Sequence, residues 1–135
     1  MSVEQRTYIM IKPDAVARGL VGRIVQRFED VGLTIERAEL GVVTVEQAAA
    51  NYVEHQGKPF YDGLVSYITS GSVVKLVLSG ENAVSVCRKL MGATNPAEAA
   101  PGTIRGDYGL TMDANIVHGS DSPESAEREI AIFFG

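Results

Sequence analysis

A mixed α/β domain, with helices packed on one sheet, is the class this sequence predicts. Two observations lead there. Short apolar runs of strand type alternate along the chain with stretches whose apolar residues recur at helical spacing. No linker, repeat or low-complexity tract divides the 135 residues, a length within the range of one domain able to bury its own core. Residues 1–135 are therefore read as a single domain.

The first expected strand runs from Arg6 to Ile11, where Tyr8, Ile9, Met10 and Ile11 are apolar and β-compatible and Lys12-Pro13-Asp14 stops them. Leu20 to Val31 places Leu20, Ile24, Val25, Phe28 and Val31 on one helical face. Gly32 supplies the residue that tolerates a left-handed cap. Thr34 to Val43 reads as a second strand. Thr44 and Gln47 form a capping box that opens a helix carrying Ala48, Ala49, Tyr52 and Val53. A helix over Pro59 to Ile68, a turn at Thr69 to Ser72, a strand over Val73 to Leu78 and a helix over Glu81 to Met91 follow. Gly92 to Asp113, rich in Pro and Gly, reads as a long ordered loop, and loops of that length usually have a function. Asn115 to Val117 is the last expected strand, and Ser122-Pro123 supplies an N-cap and first-position proline for a helix ending near Phe134. Periodicity identifies these elements but not their order in the sheet.

Composition excludes several functions. Twelve Lys and Arg against seventeen Asp and Glu give a net charge of -5, which disfavours a nonspecific nucleic-acid binder and requires a local cationic cluster for any polyanionic ligand. The first residues lack the apolar core of a signal peptide, and no run approaches the ~20 residues of a membrane span. A cytoplasmic protein is expected. The lone Cys87 cannot form an internal disulfide, and with only His55 and His118 a structural zinc site is excluded. The Walker-type and protein-kinase glycine loops are absent.

The most informative stretch runs from Asn115 to Glu129 and sets His118 where a strand gives way to a helix. Unpaired backbone N–H groups and the macrodipole make a helix N-terminus favourable for anions. A neutral imidazole can attack phosphorus without a separate base, and Glu129 could orient the ring. The residues alone leave open a second reading, a buried histidine followed by an ordinary helix cap. Lys12, Arg88 and Arg105 each read equally well as surface charges, and Phe60 and Tyr52 as core aromatics.

Asn115 to Glu129 closely resembles the signature of nucleoside diphosphate kinases, whose core is Asn-x-x-His-Gly-Ser-Asp with the histidine as phosphorylated nucleophile. The resemblance extends through Ile11 to Ala15, Lys58-Pro59-Phe60, Thr69-Ser70-Gly71, Gly92 to Thr94 and Pro101 to Asp107, and so over essentially the whole chain. It implies a ferredoxin-like βαββαβ sandwich with a four-stranded antiparallel sheet. It also implies transfer of a γ-phosphate between nucleoside di- and triphosphates, by a ping-pong route through His118. By the same resemblance Lys12, Tyr52, Arg88, Thr94, Arg105 and Asn115 line the phosphate and ribose site, Phe60 stacks on the base, and Ser120 and Glu129 support His118. Stacking suits a promiscuous enzyme, because every base offers a face. Magnesium is expected to arrive with the nucleotide, with no direct protein ligand. A homo-oligomer is implied, a hexamer with a tetramer as the alternative, the 92–113 loop meeting neighbouring subunits. His55 has no matching role and reads as structural, Cys87 as a packing residue. The chain departs from the pattern at Ser72, where proline is usual, at Met112 and Ala114, where valine and arginine are common, and in stopping at Phe133-Phe134-Gly135.

Overall fold

A computed structural model describes residues 4–135 of the chain. Four strands form one antiparallel sheet in the order β2-β3-β1-β4. They are β1 (Glu4–Ile11), β2 (Thr34–Val42), β3 (Ser72–Glu81) and β4 (Val117–Gly119). With α2 (Val21–Asp30) after β1 and α5 (Ala83–Met91) after β3, the core connectivity is βαββαβ. β1 and β3 occupy the centre, which explains why Tyr8 to Ile11 form an unbroken apolar run: a strand covered on both faces has no polar side.

Side chains alternate across β1. Ile9 and Ile11 join Leu76, Leu78, Ile24, Phe28, Cys87 and Met91 beneath α2 and α5. Tyr8 and Met10 face the opposite way, among Val73 of β3 and Ala48, Ile68 and Phe133 of α3 (Val45–Asn51), α4 (Tyr61–Ile68) and α7 (Pro123–Phe134). Phe28 has no exposed surface, and burying a side chain of that size contributes about 1.5–3 kcal/mol.

The local signals act as expected at several ends. Gly32, at φ +96°, follows α2. Thr44 accepts from the Gln47 amide while the Gln47 side chain accepts from the Thr44 amide. The Ser122 hydroxyl accepts from the Ser125 amide, with Pro123 at the first position of α7.

Four expectations are corrected. Pro13 does not merely end β1 but opens α1 (Pro13–Ala17), because a proline at the first helical position sacrifices no hydrogen bond. β3 continues to Glu81, paired with Glu4 of β1, so α5 begins only at Ala83. The 92–113 segment contains a short 3-10 turn at Pro96–Glu98 and α6 (Ile104–Tyr108), whose N-cap Thr103 accepts from the Gly106 amide. β4 begins at Val117, two residues later than expected. Ile116 takes a positive φ of 77° and the Val117 amide donates back to the Asn115 carbonyl at 2.8 Å, a tight turn that keeps Asn115 and Ile116 out of the ladder. His118 therefore lies inside the strand, opposite Met10 of β1, and four residues ahead of the α7 N-cap.

Candidate active site

The sheet edge at β4, the start of α1, α6 and the segment joining α3 to α4 enclose a cleft of about 410 Å³. Strand alternation sets its floor. Met10 pairs with His118, and the Ser120 amide donates to the Tyr8 carbonyl at 3.1 Å, so His118 and Ser120 share the sheet face that α7 covers. Along α7, Glu129 is turned inward onto both. Its Oε2 lies 2.9 Å from His118 Nε2, and the Ser120 hydroxyl donates to its Oε1 at 2.5 Å. Glu129 is 4% exposed and Ser120 1%, whereas the His118 ring is 31% exposed.

Burial works to raise the Glu129 pKa, but the hydrogen bond and charge of His118 and the Ser120 hydroxyl outweigh it. The carboxyl is held below its ordinary 4.5. A carboxylate can only accept, so the proton of His118 sits on Nε2 and the lone pair on Nδ1.

Cations from separate elements converge here. Lys12, at the end of β1, donates to Asn115 Oδ1 at 2.7 Å, and Asn115 in turn donates to the Thr94 carbonyl. Burial, and then Arg105, push the Lys12 ammonium down to about 8, with Asp14 opposing them. Arg105 on α6 is 7% exposed and donates from Nε, Nη1 and Nη2 to the carbonyls of Asn115, Gly92 and Val117 at 3.3, 2.9 and 2.7 Å. Three of its five N–H groups thereby fasten the 92–117 segment, leaving two for a ligand. Burial, with Arg88 beside it, lowers Arg105 to about 10. α6 is itself clamped, since Arg27 of α2 donates to the Asp107 carboxylate at 2.7 Å and to the Gly102 carbonyl at 2.9 Å.

Of the residues singled out from the sequence, Lys12, Tyr52, Arg88, Thr94, Arg105, Asn115, His118 and Glu129 all line the cleft. Ser120 is not part of the lining and bonds Glu129 from behind it. Phe60 is 50% exposed, which removes the core-aromatic reading. His55, expected to be structural, also lines the cleft, with its ring centroid 5.2 Å from that of Phe60 and a buried Nδ1 that has no hydrogen-bond partner among the described residues. Glu54, Asp121, Ser125 and Arg128 also line the wall, with Asn51 and Gly119, and were not anticipated as site residues. The available signal was position, for Glu54 and His55 follow Tyr52 directly, and Asp121 and Ser125 flank the cap of α7.

No helix among the described residues is long and apolar enough to cross a membrane. A family model described as nucleoside diphosphate kinase matches residues 5–135. The nucleoside diphosphate kinase of Halalkalibacterium halodurans is 58% identical over 130 residues, 96% of this chain and 88% of that protein. That of Archaeoglobus fulgidus is 57% identical, over 96% and 86%. Among solved structures, the halophilic nucleoside diphosphate kinase of Halobacterium salinarum in complex with CDP superposes with a TM-score of 0.94. It is 50% identical, with 98% of this chain and 88% of that one covered. The enzyme of Encephalitozoon cuniculi gives the same TM-score at 46% identity, over 97% and 89%. The similarity spans the cleft and the fold alike, and the chain belongs to the nucleoside diphosphate kinase family of phosphotransferases.

Proposed function

We propose that the cleft runs the kinase reaction in two half-reactions through a phosphohistidine on Nδ1 of His118. The observation that carries this is the Glu129 carboxylate on Nε2, which fixes the reactive tautomer beside a set of cations. In the first half-reaction Nδ1 attacks the γ-phosphorus of a nucleoside triphosphate. An N–P bond forms, the P–O bond to the β-phosphate breaks, and the diphosphate leaves with the electron pair. In the second, a different nucleoside diphosphate attacks the phosphoimidazole and the imidazole leaves neutral.

Lys12, Arg88 and Arg105 are assigned to the phosphates, Thr94 and Tyr52 to the phosphate and ribose edge, and Asn115 to holding Lys12 in place. Glu129 stabilises the positive charge that the ring acquires on phosphorylation, and Ser120 holds Glu129. Phe60, outside the cleft lining but against His55 of its wall, supplies a stacking face that accepts any base, consistent with the exposure of its ring. Magnesium, entering with the nucleotide, would neutralise adjacent phosphates. Among the described residues no group of three or more His, Cys, Asp or Glu is placed to bind a metal ion by itself. The cleft carboxylates Glu54 and Asp121 suit contact through coordinated water. The Asp121 carboxyl is held below its ordinary value by the Ser125 hydroxyl, which keeps it charged.

A homo-oligomer, hexameric, belongs to the same proposal, with the cytoplasm as its place of action. Its support is surface chemistry: Leu40 and Val42 on the edge strand β2 are 69% and 57% exposed, and Leu110 in the 92–113 segment is 84% exposed. Light scattering behind size exclusion should give six chains, and a monomer at micromolar concentration would contradict it. The kinetic route is tested by initial rates at several fixed ATP concentrations with dTDP as acceptor. Parallel double-reciprocal lines are expected, and intersecting lines would rule out the covalent intermediate.

A further inference from the structure

Lys12 lines the cleft, whereas Asp14 and Tyr67 do not. Both nevertheless belong to its surroundings. Asp14 is the second residue of α1, two positions after Lys12, and Tyr67 comes from α4. The Tyr67 hydroxyl donates to Asp14 Oδ1, and the other carboxylate oxygen, Oδ2, is buried without a hydrogen-bond partner among the described residues. The Lys12 ammonium stands 6.0 Å from the centroid of the Tyr67 ring. An acid in the first turn of a helix is ordinarily explained by the macrodipole, and such a role calls for neither a tyrosine partner nor a buried oxygen. A buried, unpaired carboxylate oxygen is costly unless a cation balances it.

We propose that Asp14, pinned by the Tyr67 hydroxyl, is a positioning residue for Lys12, its carboxylate keeping the ammonium charged and in place when the cleft holds no phosphate. The proposal rests on the assignment of Lys12 to phosphate binding. The other charges around the ammonium do not supply this balance: of the carboxylates lining or flanking the cleft, Glu54 and Asp121 included, none but Asp14 raises the Lys12 titration. Arg105 from α6 repels it directly, and Arg88 from α5 adds a further positive charge to the cleft. Glu129 from α7 has its two oxygens engaged by His118 of β4 and Ser120. Asp14 alone acts upward on Lys12, against burial and Arg105, and the result lies at about 8. Lysine is charged below its pKa. Loss of the Asp14 charge therefore lowers the titration further and discharges Lys12 at a lower pH.

The test is an NMR titration of nucleotide-free enzyme carrying 13Cε-labelled lysine, with the Lys12 resonance assigned by Lys12→Arg. The Lys12 midpoint should fall by about one pH unit in Asp14→Asn. Adding Tyr67→Phe to Asp14→Asn should move it no further, because the hydroxyl acts through the carboxylate. The alkaline limb of kcat/KM should shift by the same amount, with a much smaller loss at pH 6.5. An unmoved midpoint, or an equal loss of activity at every pH, would overturn the proposal and leave Asp14 as a helix-start residue. A midpoint that moves while the alkaline limb stays fixed would instead remove Lys12 from phosphate binding. A further readout needs no variant: in the unaltered enzyme the Asp14 13Cγ resonance should step at the Lys12 midpoint, and a flat trace there would also overturn the coupling.

Discussion

Replacing Glu129 with glutamine removes one charge at nearly constant volume and isolates what that charge does. The amide can still accept from His118 Nε2–H through its oxygen. Its NH2 can donate to Ser120 Oγ, whose hydroxyl then turns to the Tyr8 carbonyl, already 3.4 Å away. The tautomer therefore survives, and the loss is that of a charge-assisted hydrogen bond exchanged for a neutral one. Charged hydrogen bonds contribute about 1.5–3 kcal/mol and neutral ones about 0.5–1.5. The difference of their central values, about 1.3 kcal/mol, corresponds to a step slower by nearly an order of magnitude, roughly tenfold. Since the ring gains its positive charge during the transfer, the effect should fall on the rate and not on binding. Rapid-quench measurement of enzyme phosphorylation by ATP should show the rate constant reduced about tenfold with the half-saturating ATP unchanged. An unaltered rate constant, or a change confined to half-saturation, would refute the role given to Glu129. Stability should respond as well. With the folded carboxyl below its ordinary 4.5, its contribution is present above that pH and lost as pH falls through the folded value. The melting-temperature gap between the unaltered chain and Glu129→Gln should accordingly close in acid.

Other outcomes follow from the same geometry. Phe60→Ala, at a half-exposed ring, should leave the melting temperature nearly unchanged. It should weaken all nucleosides by one common factor of about 5–150, since stacking is worth about 1–3 kcal/mol per base; a loss confined to purines would contradict the stacking role. Arg105→Met should lower stability by about 2–4 kcal/mol, because three backbone carbonyls lose their donor, and should also depress activity; denaturant melts that match the unaltered chain would remove its fastening role. Phe28→Ala, on the far side of the sheet, should cost about 3–5 kcal/mol of stability while the folded fraction keeps its kcat at low temperature.

What the sequence disclosed was local. Gly32, the box of Thr44 and Gln47, and Ser122 with Pro123 act within a few residues of themselves, and each marks the end where the structure has it. The apolar run Tyr8 to Ile11 announced a buried strand in the same way, though not its central place in the sheet. Short helices escaped, because five residues such as Pro13–Ala17 or Ile104–Tyr108 give too little periodicity to recognise. The start of β4 escaped because a β-branched residue at positive φ, Ile116, is an exception that no propensity foretells. At the site, the motif surrounding His118 pointed to residue types, while the work of Arg105 on Gly92, Asn115 and Val117 depends on contacts made only after the 92–117 segment has folded back on itself.

The central claim, a phosphoryl group carried on His118, is tested most directly by incubating the enzyme with magnesium and γ-labelled ATP without an acceptor, then following the label in acid and in alkali. A phosphoimidazole is lost in acid and survives base, so the label should vanish on acid treatment, persist in alkali, map to the peptide containing His118, and be absent from His118→Ala. Label retained in that variant, or an acid-stable label mapping to Ser120, would contradict the account.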